Sequence, residues 1–371
     1  MGKQIKRVLL LLHPEMDNSS YMLYNGLCKV LGNDNLDIFP YIKHYFGGID
    51  DWYVLDDGKR GLTGKPGFVA DGHQTKEKSF DEITKNIKSG YYDIVVFNNR
   101  TYAVKALDQF ISALGRKKLP PLVVFEGEDY SDLGTIRKLK NRYSVVASFK
   151  REYIQSEIDR KGDDLHPIYP LPFSAIIDNM AVDIEFDKKD IDVFALFGNT
   201  TTGSIGNIRE NIVKKIGSSD LVKKYKIHVG IDRFSNEQEK VTWLDSNRFN
   251  IPPLMGYKEY HEHMARAKIN IVTRGWGNDS IRRFEAPSYS GLVLADRLPI
   301  KTPNDFIDGQ HIVYYQNDLN DLVPKIEYYL SNTEGIKERE RIGKAGKEHC
   351  KSFHTTDARA RQFLDRISGH I

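Results

Sequence analysis

Arg282 and Glu285 lie three residues apart inside the stretch Ala267–Asp296, AKINIVTRGWGNDSIRRFEAPSYSGLVLAD. On a helix, that spacing puts both side chains on one face. One reading of the pair is a surface salt bridge worth less than about 1 kcal/mol. The other is a carboxylate that accepts hydrogen bonds from the two hydroxyls of a ribose, beside a guanidinium that meets an anion. The stretch as a whole reads strand, glycine-rich loop, helix, glycine, strand. Asn278 or Asp279 is placed to cap that helix. The remaining N–H groups at its start, with the macrodipole, would form an anion site. Gly275 and Gly277 let backbone approach a ligand closely, and Arg274 and Arg282 carry charge suited to a diphosphate. Trp276 fits either stacking on a base or sugar or sealing a hydrophobic edge.

Such a loop needs a parallel sheet to hold it, and the sequence supplies the pattern twice. Short apolar runs at Val8–Leu12, Ile38–Tyr41, Asp93–Phe97, Leu122–Phe125 and Ser144–Ser148 read as buried strands. Helical spacing separates them at Tyr21–Leu31, Phe80–Ile87 and Val104–Leu114, and Pro167–Pro172 reads as a break. The Gly- and Asp-rich segment Gly47–Gln74 reads as a long loop. After a polar linker, Asp178–Asp190, the alternation restarts. Strands are expected at Val193–Phe197, Lys226–Val229, Ile269–Thr273 and Leu292–Ala295. Helices are expected at Ile208–Ile216, Tyr257–Lys268, Asp279–Tyr289, Leu319–Leu330, Ile336–Cys350 and Thr356–Ile367. The expected fold is α/β, two Rossmann-like domains facing a central cleft. The boundaries are an N-terminal domain over 1–177, a C-terminal one over 190–352 and a last helix over 353–371. The ligand site is then the cleft between them.

With 371 residues, 40% apolar and 28% charged, the chain can build two cores. A net charge of +3 argues against a nucleic-acid binder. The basic run Arg137, Lys138, Lys140, Arg142 reads as a solvated helix face or as a patch for a lipid surface or phosphorylated acceptor. Cys28 and Cys350 have neither metal nor disulfide spacing, and suit reduced thiols in the cytoplasm. The apolar run near the start is too short for a signal peptide or a membrane span. Lys6 stands where a myristoylation signal wants Ser or Thr. A cytoplasmic protein is expected, at most in peripheral contact with a membrane.

The stretch also resembles the donor-binding region of GT-B glycosyltransferases, in the branch of the CgeB-like and glycosyl transferases group 1 proteins. The matching residues are Arg283-Phe284-Glu285-Ala286, Ser288, Gly291 to Asp296, Asp305 to Gly309, Ile312 to Tyr315, Ile342 to Gly346, Phe353 to Thr356 and Arg359. The likeness runs from about Asp190 to the end of the chain. It implies that a nucleotide-sugar donor binds the C-terminal domain and that Glu285 is the ribose-binding glutamate. It implies that Gly198, Asn199 and Thr200 approach the diphosphate or sugar. Gly256, Tyr257 and Tyr260 would flank the nucleobase, unless the tyrosines serve only the core. Gly277 departs from the pattern: many retaining members carry a glutamate there, eight positions before the ribose-binding one. That departure points towards an inverting reaction.

Inversion needs a base for the acceptor hydroxyl, which in similar enzymes comes from an N-terminal loop. Two groups follow strands here: His13, Glu15 and Asp17, and then Glu126, Glu128 and Asp129. Clustered carboxylates raise one another's pKa, whereas capping or a solvated acidic loop is the ordinary alternative. Glu128 and Asp129 are preferred, with His13 next. No Asp-x-Asp motif stands in a matching context, so no metal and no cofactor beyond the donor substrate are expected, with arginine stabilising the leaving diphosphate. The acceptor is a glycan, a protein or a lipid-linked molecule. The rival readings are a nucleotide-sugar epimerase of the same fold and a non-catalytic nucleotide-sugar or glycan-binding protein.

Overall fold

The first strand, β1 (Val8–Leu11), reads VLLL and has every residue buried. A strand is apolar on both sides only where helices cover both faces of its sheet. A computed structural model shows that arrangement twice. It describes residues 4–14, 17–42, 75–114, 119–161, 163–165, 167–177, 181–198, 208–232, 257–275 and 277–371.

The first sheet is six-stranded and parallel, in the order β2-β1-β3-β4-β5-β6. Its other strands are β2 (Leu36–Phe39), β3 (Ile94–Asn98), β4 (Leu122–Glu126), β5 (Val145–Lys150) and β6 (Ile168–Pro170). Helices α1 (Asn18–Leu31), α2 (Phe80–Lys88), α3 (Thr101–Leu114), α4 (Gly134–Arg142) and α5 (Gln155–Lys161) connect them. Two apolar clusters, one centred on Leu10, Val96 and Phe149 and one on Leu9, Phe97 and Phe110, fill the opposite faces. The expected break at Pro167–Pro172 holds a strand instead. β6 lies at the sheet edge, where a proline need not donate to a further ladder.

The second sheet is five-stranded and parallel, in the order β11-β10-β9-β7-β8. Its strands are β7 (Ile191–Gly198), β8 (Ile227–Asp232), β9 (Ala267–Val272), β10 (Leu292–Asp296) and β11 (Val313–Tyr315). The helices are α6 (Ile208–Gly217), α7 (Leu221–Lys224), α8 (Tyr257–Arg266), α9 (Arg282–Glu285), α10 (Leu322–Ser331), α11 (Thr333–Phe353) and α12 (Thr356–Ser368).

The chain crosses between the sheets at two places, and these are stitched together. Ala175 N–H donates to His354 O (2.8 Å) and Thr356 N–H to Ala175 O (3.1 Å). Beyond that point α12 lies on α1. Thr356 Oγ1 bonds Asn25 Oδ1 at 2.6 Å, and a Cβ on Gly26 would overlap the Thr356 carbonyl. No helix among the described residues is long and apolar enough to cross a membrane. Cys28 and Cys350 are buried thiols, neither in a disulfide.

Burial also holds three histidines neutral. It pushes His228 down to about 4, with help from His263, and His261 down to about 3. It lowers His354 as well, together with the adjacent Arg359. The unfolded chain protonates these rings near 6.5, while the folded chain resists until far lower pH. Their contribution is therefore complete above 6.5 and is lost as pH falls towards the folded values. The melting temperature should drop between about pH 7 and pH 5, and His228→Asn should flatten the slope; equal melting temperatures at the two pH values would contradict this.

Candidate active site

The loop between β9 and α9 does not shape itself. Asn278 N–H and its side-chain amide donate to the two oxygens of Glu152, at 2.6 and 3.0 Å. Glu152 follows β5 in the first sheet and is fully buried. Asp279 accepts from Phe173 N–H (2.9 Å), just beyond β6, and from Ser280 N–H (2.8 Å). Neither residue caps a helix. The expected helix over Asp279–Tyr289 shrinks to one α turn, Arg282–Glu285, and a 3-10 turn, Ala286–Ser288. Pro287 ends the α turn: it has no N–H for the next helical bond, and its ring clashes with the carbonyl four residues back. One turn carries little macrodipole, so positive charge here comes mainly from side chains.

Arg282 Nε donates to the Tyr260 hydroxyl at 2.6 Å, and the guanidinium carbon lies 5.1 Å from that ring's centroid. Burial raises the Tyr260 hydroxyl to about 12, so it remains protonated. Glu285 keeps 11% of its side chain exposed, and its Oε1 lies 3.8 Å from His261 Nε2. Tyr260 and His261 are neighbours on α8, so one helix holds both members of the pair.

A second guanidinium joins Arg282. Arg209 donates to the Gly198 carbonyl (2.6 Å) and to the Arg274 carbonyl (3.0 and 3.2 Å). Burial, and then the charge of Arg282, lower it to about 10. Two cations that repel each other at the strand ends form a place an anion would relieve. Sequence reading missed Arg209, although a signal was present. It is the second residue of α6, where the macrodipole disfavours a cation.

Arg274 is drawn elsewhere, to Asp296 (2.6 Å) and the Arg297 carbonyl (3.0 Å). Ser288 Oγ turns towards the Phe284 carbonyl and Cys350 Sγ, on the side of α11. Gly198 ends β7. Asn199, Thr200, Gly256, Trp276 and Glu15 lie outside the described residues, as do the side chain of Tyr257 and the segment 47–74.

The opposing wall follows β4. Glu126 is fully buried, paired with Lys150, and accepts from Glu128 N–H at 3.1 Å. Burial raises its pKa while Lys150 and Arg151 oppose the rise, so mutual repulsion of carboxylates is not the cause there. Glu128 pairs with Arg100 (3.0 Å) and Asp129 with Arg151. Half of the Asp129 side chain remains exposed. His13 sets its ring edge-on to Tyr102, with centroids 4.8 Å apart. Asp17 is the α1 cap, accepting from Ser19 and Ser20.

The two walls touch at Gly277. A Cβ there would overlap Glu152 Oε1 and stand 3.1 Å from the Asp129 backbone. Thus Gly277 and Asp129 are brought together, although 148 positions separate them in the sequence. Gly277→Ala should destabilise the protein by about 1–3 kcal/mol through this crowding and weaken ligand binding at the arginines. Denaturant melts and nucleotide titration check this, and wild-type values in both would show that the contact is loose.

Residues 209–365 match the family described as glycosyl transferase-like. No curated protein matches the chain. Among solved structures, HepE from Anabaena, in complex with UDP-glucose, superposes with a TM-score of 0.60 at 12% identity, covering 98% of this chain and 100% of that one. A glycosyltransferase from Rickettsia africae gives 0.59 at 11% identity, covering 98% of each. A structure assigned as a UDP-N-acetylglucosamine 2-epimerase from Listeria monocytogenes gives 0.51 at 12%, covering 99% and 97%. These full-length likenesses establish the fold as GT-B, two Rossmann-like domains.

Proposed function

We propose that this chain, whose residues 209–365 match the glycosyl transferase-like family, moves a sugar from a nucleotide-sugar donor to an acceptor hydroxyl on a glycan, protein or lipid-linked molecule. The observation that carries this reading is the setting of Tyr260, which accepts from Arg282 and feels the charges of Arg282, Glu285 and Arg209. Two guanidinium groups suit a diphosphate, and a carboxylate beside them suits the hydroxyls of the attached ribose. The donor half is 190–352, the acceptor half 1–177, and the tail 353–371 returns to the acceptor half.

In this mechanism the acceptor oxygen attacks the anomeric carbon, and its proton passes to Asp129 or Glu128, with His13 as the next candidate. The bond from that carbon to the diphosphate oxygen breaks, and its electron pair leaves with the nucleoside diphosphate. Arg282 and Arg209 meet the developing charge, so the step runs without a metal. A single displacement inverts the anomeric centre, in keeping with Gly277 lacking a carboxylate. Two buried thiols suit a cytoplasmic setting.

UDP-glucose, the ligand of HepE, is the first donor to try. A ligand at a hundred times its Kd adds about 2.7 kcal/mol of stability, and Glu285→Ala should remove that shift. Asp129→Asn should lower kcat by about 100-fold or more. EDTA should leave turnover intact, and NMR should show inverted product. A full shift in a folded Glu285→Ala variant sinks the ribose assignment. Epimerised donor in the absence of acceptor would instead favour the epimerase reading.

A further inference from the structure

Glu285 is mostly buried, and something in the protein must set the direction of its carboxylate before a donor arrives. The groups behind it form a chain. Tyr289 lies one turn on from Glu285, and its hydroxyl is 2.9 Å from His261 Nδ1. His261 Nε2 in turn faces Glu285 Oε1 at 3.8 Å. His261 and the Tyr289 ring are both buried. We propose that His261 and Tyr289 are positioning residues that orient the Glu285 carboxylate for the donor, an inference that rests on the reading of Glu285 as the donor's ribose ligand.

The direction of the chain follows from its partners. The Ala181 backbone bonds to the Tyr289 oxygen. The tyrosine proton is then left to donate to Nδ1, and the imidazole hydrogen is placed on Nε2, facing the carboxylate. The opposite tautomer would turn a lone pair towards Glu285 and be repelled. Burial keeps both groups in the needed states: it raises the Tyr289 hydroxyl, and it lowers His261 to about 3 with the charge of Arg282 assisting. At 3.8 Å the Nε2 approach is an electrostatic bias and not a hydrogen bond. It biases the direction of the carboxylate from behind. Since Tyr260 next to it holds Arg282, helix α8 aligns both donor contacts at once.

The test measures the Kd of UDP, GDP and ADP, and follows whichever binds the wild type. Tyr289→Phe removes one oxygen, and His261→Met removes the imidazole at similar volume. Each should weaken binding by about 5- to 10-fold, the size of one hydrogen bond. His261→Gln, whose amide can point an N–H at Glu285, should recover most of the loss. In a Glu285→Ala background, Tyr289→Phe should cause no further loss. Additive losses would overturn the proposal, because a purely structural role adds while a shared role does not. So would wild-type affinity in both Tyr289→Phe and His261→Met alongside a defective Glu285→Ala, with the function itself left standing. Wild-type affinity in Glu285→Ala would remove both. If His261→Met fails to fold, the Tyr289→Phe pair of measurements decides alone.

Discussion

The bonds from Asn278 to Glu152 decide the shape of everything near the arginines. A buried carboxylate must be compensated or it becomes very costly. Glu152 meets that need with two N–H donors from the other sheet's loop, with Arg151 alongside it. Burial still raises its pKa, so compensation is incomplete. Hydrogen bonds to charged groups are worth about 1.5–3 kcal/mol each, a large share of the stability of an ordinary domain. The loop between β9 and α9 therefore takes its form from the opposing wall, and the absent side chain of Gly277 is what lets that wall approach.

The strands were legible because their burial on both faces leaves apolar runs that nothing else explains. Val8–Leu11 and Leu292–Asp296 are cases, each buried throughout. The α/β class and the repeated pattern followed from them. Pro287 was in plain view, yet the apolar spacing of its neighbours suggested a longer helix than the missing N–H permits. β6 was hidden by its prolines, which an edge position tolerates. The basic run on α4 read as a solvated face or as a patch for a lipid surface or phosphorylated acceptor; Arg137 pairs with Asp164 at 2.9 Å and Lys140 donates to the Leu165 carbonyl at 2.6 Å.

The site was legible only where its members are near in sequence. Arg282 and Glu285 stood out through their spacing. Glu152 could not, since its meaning comes from a residue 126 positions away. Likewise, no local pattern ties His261 to Tyr289 or Arg209 to Arg282. The candidate bases were legible as a cluster, but their division of labour was not. Glu126 is sealed inside with Lys150, and Asp17 caps a helix, while Glu128 and Asp129 stay partly exposed.

The stitch at Ala175, His354 and Thr356 has a mechanical consequence. Two passages of the chain between the halves act as one, because each is bonded to the other at the point of crossing. The halves are held a second time where Asn278 and Asp279 bond across to Glu152 and Phe173. The halves could therefore part only if those cross-bonds broke while the crossing itself held. The tail, locked on α1 through Thr356 and Gly26, would turn with the first half as one body.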